Sequence, residues 1–564
     1  MSISVRHFDP ESVQRLAAAG VHPVLARVYA ARGVTQVDQL SSELSCLLHF
    51  GTLKNIQAMS TRLADAILAQ ARILIIADYD ADGATACAVA VRGFALLGLQ
   101  VQYLVPNRFE YGYGLTPEIV HLAARQQPDI IVTVDNGIAS IDGVQAAHAL
   151  GIEVLITDHH LAGESLPDAL IVNPNQPGCL FPSKHLAGVG VMFYVLLAVR
   201  AELQARGVFA ISGVPALAQL LDIVALGTVA DVVRLDDNNR ILVEQGLRRI
   251  RQGRACAGIR ALFQVANRSV TTANAADLGF MIGPRLNAAG RLEDMSLGIA
   301  CLLGADETAA TALAQRLHAL NAERREIEAD MQAQALLSLE QISPADSYSL
   351  VMFDPDWHQG VIGILASRLK DKFHRPVICF ARTANGEIKG SGRSISALHL
   401  RDALDLVSKR APQLILKFGG HAAAAGLSID EARLAEFVSL FEASVRNFLG
   451  PDDLAFTVQT DGGLSADEFN LSFAQHIATQ VWGQGFPAPS FGGIFRVTQQ
   501  RVLKDRHLKL QLAYQDRLFD SILFNHVEPL PAVIHAVYQL ELNSYKDQVS
   551  LQVKLQHWRP EGEI

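Results

Sequence analysis

A chain of 564 residues is long enough for three or four domains. Its 50% hydrophobic content can fill several cores and excludes a disordered protein. A formal net charge of -9 excludes a general nucleic-acid coat protein, so any grip on nucleic acid must come from a local basic groove or from metal ions.

Taken in order, MSISVRHFDP has no basic region followed by an apolar core, and no signal peptide is expected. Residues 1–50 place Leu, Val and Ala at helical spacing and read as a helical packing extension without chemistry. From residue 72, strands and helices alternate. Ile73–Ala77 is a fully apolar strand, 84–97 a helix, 101–105 a strand and 117–127 a helix. Ile130–Val134 is a strand, 140–150 a helix and 154–156 a strand. Such alternation with short connections predicts a parallel sheet covered on both faces. The run 188–226 reads as strongly helical and apolar. Within it, 187–199 is too short to span a bilayer and reads as a buried helix, so no membrane contact is expected. The stretch 306–340 is a long amphipathic helix, and 349–449 restarts an α/β pattern. After Gly450-Pro451, short runs over 495–524 and 533–558 alternate apolar and polar residues and predict a small antiparallel barrel. There Lys504, Arg506, His507, Lys509 and Arg517 interleave with Tyr514 and Phe519, a pattern open to single-stranded nucleic acid or to any half-exposed sheet. The six Cys, at 46, 87, 179, 256, 301 and 379, form no CxxC pair, which suits a reducing, cytoplasmic compartment.

Three apolar runs stop at acids or histidines. Ile73–Ala77 runs into Asp78, Asp80 and Asp82, Ile130–Val134 into Asp135, and 154–156 into Asp158, His159 and His160. In parallel sheets ligands sit beyond the carboxyl ends of the strands, so these residues can meet although far apart in sequence. Asp231, after another apolar run, joins them. Any one Asp at a strand end can simply cap the next helix, and Asp82-Gly83 can be only a turn, but capping does not call for adjacent histidines. Carboxylates and imidazoles without thiolates favour Mn²⁺ or Mg²⁺ over structural Zn²⁺. Two such ions about 3.5–4 Å apart would activate water for in-line displacement at phosphorus. In GFMIGPRLNAAGRL, Arg285 and Arg291 flank small residues and Asn287. Small residues let a ligand approach the backbone and Arg suits phosphate, though both Arg can also be surface ion pairs. Gly-rich turns around His358, around Ser391, Gly392 and Arg393, and at Gly420-His421 offer the parts of an anion site.

The blocks ADYDADG (77–83), VTVDNG (132–137), TDHH (157–160), GTVADV (227–232), GPRLNAAGRL (283–292), WHQGVIG (357–363), KGSGRSI (389–395) and GGHAAAAG (419–426), in this order, resemble the DHH phosphoesterase superfamily. WGQGFPAPSF (482–491) resembles the start of the oligonucleotide-binding barrel in its branch of bacterial single-strand-specific DNA exonucleases. The resemblance implies an α/β multidomain fold: a parallel-sheet DHH domain and a smaller DHH-associated α/β domain joined by a long helix, plus a C-terminal OB-type β-barrel. The implied boundaries are 1–50 for the extension, 51–305 for the DHH domain, 306–345 for the connecting helix, 346–449 for the DHH-associated domain and 450–564 for the barrel.

The resemblance also implies roles. Asp78, Asp80, Asp135, His159 and Asp231 would hold two Mn²⁺ or Mg²⁺ ions, with Asp135 bridging. His160 would contact the scissile phosphate, and Asp158 and Asp82 would orient ligands. Arg108, Ser391, Gly392 and Arg393 would take the 5′-terminal phosphate, and Arg285, Asn287, Arg291, His358, Gly420 and His421 would line the cleft. The pyrophosphatase branch carries a His four residues before its first Asp, where this chain has Leu74, so one metal would keep more water. The implied activity is 5′→3′ digestion of single-stranded DNA to 5′-mononucleotides in repair and recombination, with single-strand-binding protein and a helicase as partners. An oligoribonuclease or small-nucleotide phosphodiesterase of the same superfamily, and a non-catalytic nucleic-acid scaffold, are the competing readings.

Overall fold

The computed structural model describes residues 2–106, 114–304, 306–339, 347–383, 386–545 and 548–562. Arg108 falls outside them. The chain forms two compact units. One is Ala322–Val458 with the N-terminal few residues; the other is Val5–Asn321 together with the chain from Gln459 onward. The chain passes from one to the other within the helix Glu307–Leu339.

The larger unit is built on a five-stranded parallel sheet. Its spatial order is Gln102–Leu104, Ile73–Ala77, Ile130–Val134, Glu153–Thr157, Leu170–Val172. All residues of Ile73–Ala77 and Ile130–Val134 are buried, which is why these strands are apolar throughout rather than alternating. Burying each Ile or Val of such a strand contributes roughly 1.5–3 kcal/mol. Helix Ala81–Leu96 starts at Asp80 and packs on Gly188–Ala205. The approach is close: a β-carbon at Gly93 would lie 2.2 Å from Leu196. Gly188–Ala205 is the one helix among the described residues long and apolar enough to cross a membrane, and most of it is buried in this core.

Three expectations need correction. The run 188–226 is not continuous helix. It breaks after Ala205, and Leu217–Leu220 is a 3₁₀ turn leading into Leu221–Ala230; Gly207, Gly213 and Pro215 punctuate the gap. Residues 1–50 are only partly helical. Pro10–Ala18 and Pro23–Ala30 each begin on Pro at the first helical position, and beyond them the extension has only short 3₁₀ turns. That extension is also firmly tied. The Arg32 guanidinium donates to both oxygens of buried Asp461, at 2.7 and 3.0 Å, and Tyr29 stacks on Trp482 and Phe486.

The third correction concerns the barrel. It is closed, in the order Phe491–Leu503, His507–Tyr514, Arg517–Leu523, Gln548–Pro560, Val533–Tyr545. One seam is parallel rather than antiparallel, pairing Ser521–Leu523 with Val553–Leu555. The aromatics interleaved with basic residues face the core. Phe519 is buried on Phe469, and the Tyr514 hydroxyl donates to the Leu464 carbonyl. A two-residue period sends alternate side chains to opposite faces, so the aromatic half of the pattern is core.

In the smaller unit a five-stranded mixed sheet orders as Ile415–Gly420, Ala424–Asp430, Glu387–Arg393, Val377–Arg382, Leu350–Asp354. Helices Leu400–Arg410 and Leu434–Phe448 supply Leu404, Val407, Phe437 and Phe441 to its core.

Candidate metal centre

Asp78, Asp135 and Asp158 each follow directly on a strand of the parallel sheet. The registers pair Ala77 with Val134 and Val134 with Thr157, so the three carboxylates leave the sheet level with one another. Asp80 Oδ1 accepts from the backbone N–H of Asp82 and Gly83, at 2.9 and 3.1 Å, and so caps the next helix. Capping and ligation are compatible, because a carboxylate has a second oxygen. One ligand atom from each of Asp78, Asp80 and Asp135 falls within 4.8 Å of the others.

A second group joins them. Asp231, at the end of helix Leu221–Ala230, has its Oδ2 3.5 Å from His159 Nε2, and Asp135 Oδ1 is 3.2 Å from the same nitrogen. Asp82, His159 and Asp231 form one compact donor set, and Asp135, His159 and His160 another. Asp135 sits at φ 63°, a left-handed conformation that costs a non-glycine residue energy and is found at functional sites.

The electrostatics follow from the crowding. Burial first, then the charges of Asp82, Asp80, Asp78 and Asp231, push the Asp135 carboxyl well above the carboxylate range. Burial and Asp82 do the same to Asp231. Burial and Asp80 push Asp82 up to about 7. Burial and the neighbouring His160 pull His159 down to about 4, leaving the neutral imidazole that metals bind. His160 goes the other way. Burial opposes its charge, but its Nδ1 lies 2.8 Å from Asp158 Oδ1, and the ring is raised to about 9.

Neighbouring groups hold the donors in place. Both oxygens of buried Asp82 accept from the start of helix Gly188–Ala205, from Gly188 N at 2.5 Å and Val189 N at 2.9 Å. A β-carbon at Gly188 would lie 2.6 Å from Asp135 Oδ1, so only glycine lets this helix end come so near. Asp158 accepts from the N–H groups of His159, His160 and Ile138. In GPRLNAAGRL, Asn287 Oδ1 accepts from Ala81 N at 2.8 Å, and a β-carbon at Gly290 would lie 1.9 Å from the Tyr79 carbonyl. Gly290 thus admits the backbone of the Asp78–Asp82 loop, a close approach of the chain to itself where the sequence suggested one of a ligand. Arg285 is buried and donates to His318 Nδ1 at 3.2 Å, and Arg291 is half-buried in the last turn of the same helix.

The smaller unit gathers its own polar corner. Ser391, Gly392 and Arg393 end a strand and pair with Gly426, Ala425 and Ala424. Arg393 donates to the Gly392 carbonyl at 2.8 Å and to Ser391 Oγ at 3.2 Å. A β-carbon at Gly363 would lie 2.8 Å from Ser391 Oγ and 3.0 Å from Arg393 Nη2, so the first turn of helix Ile362–Phe373 abuts this pair. His358 lies on the loop entering that helix, and its Nδ1 accepts from Gly360 N. Gly420, at φ 145°, and His421 turn the adjacent hairpin, where His421 N donates to the Ala424 carbonyl. A guanidinium beside backbone N–H groups at a helix start is suited to a phosphate.

Comparison with known proteins agrees with this geometry. Residues 72–228 match the DHH family N-terminal domain, 346–447 the DHHA1 domain and 460–557 the RecJ OB domain. The single-stranded-DNA-specific exonuclease RecJ of Dickeya dadantii is 50% identical over 95% of this chain and 96% of its own length. The Escherichia coli RecJ is 47% identical over 95% of each. The chain belongs to the RecJ family.

RecJ from Thermus thermophilus, solved in complex with Mn²⁺, superposes over 100% of this chain and 80% of its own, with a TM-score of 0.84 at 30% identity; the Mg²⁺ complex gives 0.79. The residues here fit such ions. Asp135 Oδ1 and His159 Nε2 are buried with no hydrogen-bond partner among the described residues, in a site where unpaired polar atoms are costly. Both belong to donor sets of carboxylate and neutral imidazole, the ligands that Mn²⁺ and Mg²⁺ take. A divalent charge also relieves the repulsion among the acids.

Some residues that hold the backbone around this centre were not evident from sequence. Asn173 Nδ2 donates to the His160 carbonyl at 2.9 Å and Asn175 Nδ2 to the His159 carbonyl at 2.6 Å. Asn136 Nδ2 bridges the Ile76 and Val134 carbonyls, tying two strand ends. Asn173 follows strand Leu170–Val172 as Asp78 follows Ile73–Ala77, so the strand-end rule could have found it had it included amides.

Proposed function

We propose that this chain is a single-stranded-DNA-specific exonuclease that works from the 5′ end and releases 5′-mononucleotides by metal-dependent phosphodiester hydrolysis. The observation that carries this reading is the meeting of Asp78, Asp80, Asp135, His159 and Asp231, two of whose buried ligand atoms have no hydrogen-bond partner among the described residues, in a chain of the RecJ family.

In this reading those five residues would hold two Mn²⁺ or Mg²⁺ ions, with Asp135 serving both. When bound, the ions supply Lewis-acid charge that activates water and stabilises the oxygens of the displacement at phosphorus. Asp82 fixes the start of helix Gly188–Ala205 against Asp135. His160, oriented by Asp158, donates to a phosphoryl oxygen as negative charge develops there. Ser391, Gly392 and Arg393 anchor the 5′-phosphate, with Arg108 as a further cation. Arg285, Asn287, Arg291, His358, Gly420 and His421 support the path of the strand. The RecJ OB domain over 460–557 favours long strands over dinucleotides as substrate. Single-strand-binding protein and a helicase are the proposed partners, and the cytoplasm the proposed setting, in keeping with six free cysteines of which only Cys46 is exposed.

The test is digestion of single-stranded, blunt duplex, 5′-tailed and 3′-tailed DNA with Mn²⁺. The single strand and the 5′ tail should be degraded, and EDTA should abolish activity until Mn²⁺ is restored. Chelator-resistant activity, or degradation of the 3′ tail in preference to the 5′ tail, would contradict the proposal.

A further inference from the structure

Three large apolar side chains that solvent reaches lie on, or on elements packed against, the segments that carry metal-centre residues. Leu161, 70% exposed, follows His160, and Val232, 62% exposed, follows Asp231. Phe280 is 76% exposed on the short π-helix Asp277–Ile282, which runs into helix Gly283–Leu292.

The placement of Phe280 is set by packing. A β-carbon at Gly279 would lie 3.2 Å from Val229 Cγ1, and one at Gly283 would lie 3.0 Å from Ala230 Cβ. The π turn therefore lies on the last turn of the helix that delivers Asp231. Seven residues beyond Phe280, Asn287 holds Ala81 N on the Asp78–Asp82 loop. Phe280 thus stands on an element that packs on the helix delivering Asp231 and runs into the helix that holds the metal loop. Two backbone irregularities accompany it. Val232 is β-branched yet sits at φ 63°, and π turns inside helices occur frequently at functional sites.

We propose that Phe280 is the surface on which the unpaired nucleobase next to the scissile phosphate stacks. The proposal rests on the exonuclease reading and deepens it. A phosphodiester gripped at the metal centre carries a base a few ångströms away, and a flat apolar ring is what the face of a base meets most favourably. A base in a duplex is paired and stacked between neighbours and has no free face to offer. Phe280 therefore acts as a positioning residue that rewards single strands. It touches no reacting atom, and its effect falls on KM.

The experiment uses the full chain with Mn²⁺ and two 5′-phosphorylated single strands, one intact and one with abasic residues at its first two nucleotides. Wild type should show a KM about tenfold higher on the abasic strand, the order of one base–aromatic stack. Phe280→Ala should raise KM about tenfold on the intact strand and add nothing on the abasic one, with kcat little changed. Phe280→Trp should keep the wild-type pattern. 2-Aminopurine at the second nucleotide should be quenched by wild type and not by Phe280→Ala. An equal loss for Phe280→Ala on both strands, or no loss on either, overturns the proposal and leaves the metal-dependent exonuclease standing. Failure of wild type to digest the intact strand removes the exonuclease reading itself. Should Phe280→Ala not fold, unquenched 2-aminopurine on the wild-type enzyme would still overturn the stacking role.

Discussion

The metal centre and the Ser391–Arg393 corner both suit phosphate, but they are built from opposite materials. The first crowds Asp78, Asp80, Asp82, Asp135 and Asp231 around one neutral imidazole. Left to themselves these acids would repel a phosphodiester, so the site works only through cations. The second has a guanidinium, a hydroxyl and the start of a helix, and can meet a phosphate directly. The contrast separates tasks. Stabilising charge that develops during reaction calls for divalent ions, whereas holding an end already charged calls for fixed donors that need no cofactor.

The largest expected effect tests the first half of this contrast. Asp135→Asn should lower kcat on single-stranded DNA by about 1,000-fold, because in the proposed reading Asp135 would serve both ions and its loss would forfeit several kcal/mol of charge stabilisation. The same variant should be at least as stable as wild type when EDTA is present, since a buried like charge has been removed. The rise in Tm that Mn²⁺ gives wild type should shrink. Thermal scans with and without Mn²⁺ provide the check. A variant that loses activity but keeps the full metal-induced rise in Tm would show that Asp135 acts on substrate and not on metal.

Much of this centre was legible in the sequence because parallel strands impose a simple rule. An apolar run buried on both faces must end where polar residues can begin, and all such ends share one edge of the sheet. Asp78, Asp135 and Asp158 follow from that rule alone. Other features did not, because they depend on three-dimensional proximity. Nothing in the local sequence of Gly188 says that its α-carbon lies against Asp135, or that Asp82 caps its helix from 106 residues away. The tie between Arg32 and Asp461 spans 429 residues and makes a seemingly bland extension part of the larger unit. The barrel aromatics stayed open to two readings for a related reason: alternation shows that two faces differ, but not which face is wet. The small residues near Asn287 do mark a close approach, but what approaches is the chain's own backbone.

Gly188→Ala sharpens the contrast by disturbing the metal centre without altering its charge. A methyl group placed 2.6 Å from Asp135 Oδ1 must displace either the carboxylate or the helix end held by Asp82. A loss of about 10- to 100-fold in Mn²⁺ affinity is expected, the range seen when groups supporting a metal ligand are changed. Saturating Mn²⁺ should recover part of the activity. Isothermal titration with Mn²⁺ measures the affinity directly, and an unchanged affinity would mean that the helix end yields without moving the ligand.

The smallest effect belongs to the second site and should differ in kind. Arg393→Ala removes a guanidinium that donates to Ser391 and Gly392 and lies against the first turn of helix Ile362–Phe373. A charge-assisted hydrogen bond to phosphate is worth about 1.5–3 kcal/mol, so KM for a 5′-phosphorylated strand should rise about tenfold or somewhat more. On a 5′-hydroxyl strand the variant and wild type should be nearly equal, because the bond at issue is never made. Mn²⁺ affinity should not change, since no metal ligand is touched. These three readouts together distinguish an anchor from a part of the reaction centre. A fall in kcat that is the same on both strands would merge the two regions into one catalytic device and end the separation of tasks drawn from their composition.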